Sequence, residues 1–412
     1  MIKFNFLGHA CVSISSGDYS LIIDPWFGTP FHAGRLLSYP PIPTPVGKML
    51  NPSGIHISHI HQDHFCRKSL ELFSRETPIF IGSYPELKFT QAIRDLGFKQ
   101  VIEIPPSGLC CGPFKLYCVP CEPFDRSYDS LLILEVEGQK ILLNNDCVLS
   151  RDSYQKLRHI HGRIDVGFLG YSKVSPYPSC YTIPGADPSQ MLMWTQHHAV
   201  KHVLELDEIF QFHAIVPYAN GIRVLESDRS LFNQSFTRLD RLTEMLPAEM
   251  TRRLVLVEPG KEWNQVQEIP QLNLQYNYSS EVISDWFKSH PPDQIYNFAN
   301  SELQSDSFYV EFFSKYFQRV LLGDRLKLEP LVRLLDDSGI PLRAFQYNRG
   351  KMFSIDPENV QADSLMIDYP TKWINEVALG RITIGSLYYA FQFAAKYRYS
   401  PVLRHHLVHL WL

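Results

Sequence analysis

The residues most able to do chemistry stand in one short run, His59-x-His61-x-Asp63-His64, within GIHISHIHQDHF. Imidazoles and a carboxylate at this spacing, after an apolar β-branched run and before a helix-like stretch, suit metal ligation. On a loop leaving a strand, His59 and His61 are expected to project to one side for one cation, while Asp63 and His64 turn toward a second. Isolated histidines such as His161 and His213 lack such company and are read as structural. A long apolar run, LLNNDC, ends in Asp146. A carboxylate at such a strand end can bridge two cations about 3.5–4 Å apart. His9 in LGHA and Asp24 in LIIDPW end two earlier strand-like runs, where they are placed as outer partners that fix the orientation of the ligands.

Strands and helices must hold these pieces together. The first 25 residues read as a strand meander (IKFNFLG, CVSISS, SLIIDPW), and helical and extended runs then alternate. Helices are expected near 67–75, 85–96, 151–159, 187–210 and 226–245. Strands are expected at PIFIGS, near 100–104, at FKLYCVP, at LLILEVEG/QKILLNND with a hairpin turn at Gly138, and at DVGFLGY, AIVPYAN and RRLVLVEP. This order suggests two sheets sandwiched between helices. A polar, Asn/Gln-rich stretch near 262–280 marks a boundary between a metal-binding region over 1–265 and a smaller C-terminal α+β region over 275–412. In the latter, helical runs are expected near 307–322, 327–337 and 383–397, with a strand-like RAFQYNRGKMFSI between. Aromatic residues at helical spacing in FYVEFFSKYF read as core packing.

Composition narrows the function classes. Lys+Arg total 39 against 43 Asp+Glu, a net charge of −4, and no basic run is dense enough to track a phosphate backbone, so nucleic acid is not an expected partner. No stretch approaches a membrane-spanning apolar length and the start shows no signal peptide, which makes the cytoplasm the expected location. Eight cysteines contain a single C-x-x-C pair, whereas a structural zinc ribbon needs two.

The His59–His64 motif, the Asp24-Pro25 strand end and the Asp146 strand end occur in the order found in the metallo-β-lactamase superfamily, which the chain resembles over about residues 1–260. The resemblance implies an αββα sandwich with metal at one edge of the paired sheets. Most members carry a third histidine before the bridging aspartate. Here that stretch reads CVPCEPFDRSYDS, whose best-placed ligand type is Glu122, with Asp125 the weaker choice. Nor does the usual Pro-x-His close the set; the chain has Val216-Pro217-Tyr218-Ala219-Asn220. YDSLLILEVEGQKILLNNDC, VGFLGYSKVSPYPSCY, IVPYANGIRVLES and the C-terminal tail are similar to stretches of the CMP-N-acetylneuraminate hydroxylase family. That family's Rieske iron–sulfur centre requires Cys-x-His and Cys-x-x-His pairs, which do not occur in this sequence.

The resemblance implies His59, His61 and Glu122 on one cation and Asp63, His64 and bridging Asp146 on the other. Two imidazoles with one carboxylate suit iron that activates dioxygen, and histidine-rich sites suit zinc. The expectation is a non-haem diiron oxygenase acting on a small molecule, with two divalent ions, iron before zinc or manganese, no Rieske cluster, and electrons from a ferredoxin or reductase. Tyr171, Tyr177, Tyr181, Tyr218 and Asn220 are expected to contact substrate, the Pro- and Tyr-rich loop from Val174 to Pro184 bordering the pocket. The competing expectation is a dinuclear hydrolase of phosphodiesters, lactones or thioesters, with Asp63 or Asp146 orienting or deprotonating water. A non-catalytic binding protein is the third.

Overall fold

A computed structural model describes the chain except residues 29, 33, 44–46, 85–86, 122–128, 173–179, 183–184, 186, 225–232, 234–235, 258, 265–284, 286–301, 321–328, 361–364, 380, 382–386, 388–393 and 397–412. Two sheets face each other. One has seven strands, in spatial order Lys261–Asn264, Ile2–Gly8, Cys11–Ser16, Tyr19–Ile23, Gly54–His56, Ile79–Gly82 and Val101–Ile104. The other has six, in the order Ala214–Tyr218, Val166–Gly170, Gln139–Leu143, Ser130–Val136, Phe114–Pro120 and Leu109–Cys111.

The apolar runs form these layers because side chains alternate across a strand and both faces of each sheet are covered. Leu132 and Leu134 point between the sheets with Phe4, Val12, Ile14 and Leu21. Their neighbours Leu131 and Ile133 point outward onto Tyr154 and Leu157 of the Arg151–His161 helix and onto Val203 and Phe210 of the Pro188–Phe210 helix. On the outer face of the seven-stranded sheet, Ile55, Ile79 and Ile81 pack against Leu70, Phe89 and Ile93. The result is the expected αββα sandwich.

Strand direction decides where chemistry gathers. Tyr19–Ile23 pairs in parallel with Gly54–His56, and Ile2–Gly8 runs the same way, separated from Tyr19–Ile23 by one antiparallel strand. In the facing sheet, Gln139–Leu143, Val166–Gly170 and Ala214–Tyr218 are mutually parallel. His9, Asp24 and the loop after His56 therefore leave one sheet as Asp146 and Asn220 leave strands of the other, each at a carboxyl end. His9, Asp24, Asn145 and Ala219 all adopt left-handed backbone conformations, with φ of 49°, 45°, 50° and 52°. Such conformations cost free energy in residues with a side chain and collect where a site over-determines the backbone.

A third sheet, with hairpin Pro341–Asn348/Lys351–Ile355 and strands Leu331–Leu335, Met366–Pro370 and Ala394–Lys396, also takes in Tyr181–Thr182. The Asp306–Val320 helix packs Tyr309, Phe313 and Phe317 onto it. Two expectations fail and a third is met only in part. The stretch 327–337 contains a strand, Leu331–Leu335, paired on both sides, because its apolar residues satisfy tertiary ladders rather than a helical face. Among its described residues, RRLVLVEP forms an isolated bridge between Leu254 and Ile215 in place of a strand. Of the helix expected near 383–397, Leu387 is helical, Ala394–Lys396 are extended, and 383–386, 388–393 and 397 lie outside the described residues.

Gly54 starts the strand that delivers the histidine loop, and a Cβ there would sit 2.3 Å from the Phe80 ring and 3.2 Å from Leu21. Overpacking of this kind costs about 2 kcal/mol. Gly54→Ala should lower the urea midpoint accordingly, and an unchanged midpoint would show that the neighbouring strands of this sheet leave more room at Gly54 than these distances imply.

Candidate metal centre

Asp24 organises the loop. Its buried carboxylate accepts from the Ser58 backbone N–H at 2.7 Å and the Ser58 hydroxyl at 2.6 Å, and His64 Nδ1 lies 2.7 Å from its Oδ2. With Nδ1 donating to Asp24, His64 is left with Nε2 as its free lone-pair nitrogen. That buried atom has no hydrogen-bond partner among the described residues. It faces Asp63 Oδ2 at 3.6 Å and Asp146 Oδ2 at 3.8 Å.

Among the described residues, six side chains converge in two groups. His9, Asp63 and His64 form one, and His59, His61 and Asp146 the other; within each, the ligand-type atoms all lie within 4.8 Å of one another. His9 Nε2 is 2.9 Å from Asp63 Oδ2, and His59 Nε2 is 2.8 Å from His61 Nδ1 and 3.6 Å from Asp146 Oδ2. Asp146 lies near both groups, in contact range of His59 and His64. Composition and convergence fit divalent cations, since neutral imidazole nitrogens and ionised carboxylates are the donors such ions take.

The electrostatics agree. Burial, then the neighbouring His64 and His61, hold His59 well below the ordinary imidazole value, so it stays neutral and able to ligate. Burial alone would raise Asp63, but His64, His9 and His61 hold it well below the usual carboxylate range. Burial also opposes a charge on His64, yet Asp63, Asp24 and Asp146 outweigh it and push that imidazole up to about 10. Without a cation, the cluster captures a proton instead.

His59 and His61 share a group, as expected from their spacing, while Asp63 and His64 share the second with His9, which stands in the cluster itself rather than behind it. Asp146 sits with His59 and His61 and also faces His64. Asp24 orients His64 from behind. Glu122, Asp125 and Tyr177 lie outside the described residues. Tyr171 and Asn220 border a cavity that His9 also lines. Tyr218 is fully buried, its ring 5.6 Å from Phe168 and its hydroxyl donating to the Asn145 side chain. Tyr181 packs in the core shared with the third sheet.

Sequence reasoning missed three contributors. Ser58 links Asp24 to His59, its hydroxyl 2.9 Å from His59 Nδ1. Asp129, nearly buried, lies 3.7 Å from the same nitrogen. His32 is buried beside the cluster, where burial pushes it down to about 3. None carries a spacing signal, although Ser58 stands next to the motif.

No protein-family model matches the chain. The chain is similar to cytidine monophosphate-N-acetylneuraminic acid hydroxylase of Mus musculus, 26% identical over 152 residues, which is 35% of this chain and 26% of that protein. The Danio rerio hydroxylase is 24% identical over 164 residues, 38% of this chain and 27% of that protein. The chain thus spans about a quarter of the length of the curated relatives it matches. Among solved structures it is similar to CmlA, a diiron beta-hydroxylase from Streptomyces venezuelae, with 18% identity, coverage of 53% and 45%, and a TM-score of 0.39. It is also similar to isothiocyanate hydrolase from Delia radicum gut bacteria, with 14% identity, coverage of 64% and 98%, and a TM-score of 0.49.

Asp24→Asn should weaken cation affinity about 10- to 100-fold, as loss of a ligand-orienting partner does; unchanged affinity in a cobalt titration would contradict the orienting role. A pH dependence also follows. His64 titrates higher folded than unfolded, so its proton stabilises the cation-free protein fully below about pH 6.5, and that stabilisation disappears as pH rises through about 10. Cation-free protein should lose several degrees of melting temperature between those limits. A saturating divalent cation, taking the proton's place, should flatten the profile; a cation-free profile already flat would contradict the assignment.

Proposed function

We propose that the chain is a metal-dependent enzyme that hydroxylates a small molecule at a dinuclear non-haem iron site, with electrons supplied by a ferredoxin or reductase. One observation carries this best: each described cluster joins two imidazoles to one carboxylate, His59 and His61 with Asp146, His9 and His64 with Asp63. That donor ratio suits iron and leaves coordination positions open, whereas histidine-rich sets suit zinc. The similarity to relatives named as hydroxylases supports the same chemistry. Iron at this place would supply redox chemistry with dioxygen.

The chain's own groups have separable tasks in this proposal. Asp24 fixes the lone pair of His64, and Ser58 bridges Asp24 to the ring of His59. Asp63 is nearly buried and held ionised against His9, so it serves as a fixed anionic donor. Asp146 keeps 44% of its side chain exposed, which makes it the carboxylate able to meet incoming water or substrate and to orient or take a proton there. Tyr171 and Asn220, which border a cavity with His9, are proposed to contact substrate. Glu122 is proposed as a further donor beside His59 and His61.

The exposure of Asp146 also favours a second proposal, a dinuclear hydrolase in which this carboxylate orients or deprotonates water. Metal analysis separates the two. Protein from iron-supplemented cells should hold two irons per chain and consume dioxygen when reduced; stoichiometric zinc with turnover of a phosphodiester, lactone or thioester would replace the oxygenase by the hydrolase. Absence of any bound cation would leave only a non-catalytic binding protein. Glu122→Ala should halve the metal content, and full retention would remove Glu122 from the donor set.

A further inference from the structure

Two thiols at the same sheet edge have no task in the chemistry above. Cys121 follows the Phe114–Pro120 strand and Cys147 follows Asp146, beyond the Gln139–Leu143 strand. These strands flank Ser130–Val136 on either side, both antiparallel to it, so their carboxyl ends emerge together. Both cysteines carry thiols, and their sulfurs are 2.9 Å apart. A disulfide requires about 2.05 Å, so bonding asks for a movement below about 1 Å.

The backbone holds the two sulfurs at this separation. The Cys121 N–H donates to the Asp129 carbonyl at 2.9 Å, and the Cys147 N–H to the Asn144 carbonyl at 3.0 Å. The Cys147 carbonyl accepts from Asn144 Nδ2 at 3.1 Å and from the Tyr154 hydroxyl at 3.2 Å. Access is unequal: Cys147 is buried and Cys121 only partly so. An oxidant in solution therefore meets Cys121 first, with Cys147 already in position behind it.

We propose that Cys121 and Cys147 form a redox-active pair which hydroperoxides convert to a disulfide, and that this cross-link changes the cation affinity of the adjoining His59–His61–Asp146 cluster. In the first step the Cys121 sulfur takes one oxygen of hydrogen peroxide; the O–O bond breaks, a sulfenic acid forms and one water leaves. In the second, the Cys147 sulfur displaces the sulfenic hydroxyl, which departs as water with the Cys147 proton. Two thiols are oxidised by two electrons, and one peroxide is reduced to two waters. The bond would tie the turn carrying Asp146 to the end of the Phe114–Pro120 strand. Coupling to the cation rests on the function proposed above; the cross-link itself does not.

The test treats the full chain, cation-free and cation-loaded, with one equivalent of hydrogen peroxide, followed by alkylation and mass mapping. The expected result is loss of two of the eight thiols and a peptide pair joined through Cys121 and Cys147, both reversed by dithiothreitol. Cys147→Ser should halt oxidation at a dimedone-reactive Cys121, and Cys121→Ser should abolish the cross-link. Survival of both thiols while other cysteines oxidise, or pairing of either with Cys118, would overturn the assignment. A cobalt titration of the oxidised and reduced forms should show affinities at least threefold apart; equal affinities would overturn the coupling. The peptide mapping detects the cross-link whether or not cobalt binds, so failure of the metal proposal is seen separately.

Discussion

The buried carboxylate of Asp24 is the constraint on which the rest of the site depends. It ends one strand in a left-handed conformation and reaches across to the next strand's exit loop, accepting from two donors of Ser58 and from His64. An anion with no exposure is tolerated only when its lone pairs are filled. Here the filling comes from the residues that flank the histidine motif, so satisfying Asp24 and shaping the loop are one event. The Asp24 N–H also donates to the His56 carbonyl at 2.9 Å, which ties the two strand ends directly. Asp24 thereby determines which nitrogen of His64 faces the cluster.

The second layer of organisation is charge. Asp63 and Asp146 converge with four imidazoles, and Asp129 stands close behind His59. Desolvation keeps His59 neutral, while His64 is driven to hold a proton by the three carboxylates that face it. A divalent cation relieves the same excess of negative potential more completely than that proton does. The sandwich makes this possible by bringing parallel strand ends from two sheets to one edge; Asp146 comes from the second sheet to meet His9, His59, His61, Asp63 and His64, which leave the first.

Much of this was legible in the sequence because it rests on local pattern. The His59–His64 spacing, the apolar strand ending in Asp146 and the LIIDPW strand end each mark a place where a run of buried residues stops at a polar group. The unbroken apolar runs around Leu131–Leu134 and Ile141–Leu143 signal strands covered on both faces. What the sequence hid depends on partners distant in the chain. His9 joins Asp63 and His64 only because the Ile2–Gly8 strand runs parallel to Tyr19–Ile23 two places away. Asp129 reaches His59 only because the Ser130–Val136 strand runs antiparallel and starts at this edge. The Leu331–Leu335 strand reads as a helix in isolation because its ladder partners, Leu342-containing Pro341–Asn348 and Met366–Pro370, come later.

Anomalous diffraction from crystals soaked in a divalent transition metal tests the central claim most directly. Two peaks about 3.5–4 Å apart are predicted, one among His59, His61 and Asp146, the other among His9, Asp63 and His64, with the ring of His64 still hydrogen-bonded to Asp24. A fully soaked crystal with no peak between these side chains, or with His64 turned so that Asp24 no longer meets its Nδ1, would contradict the account.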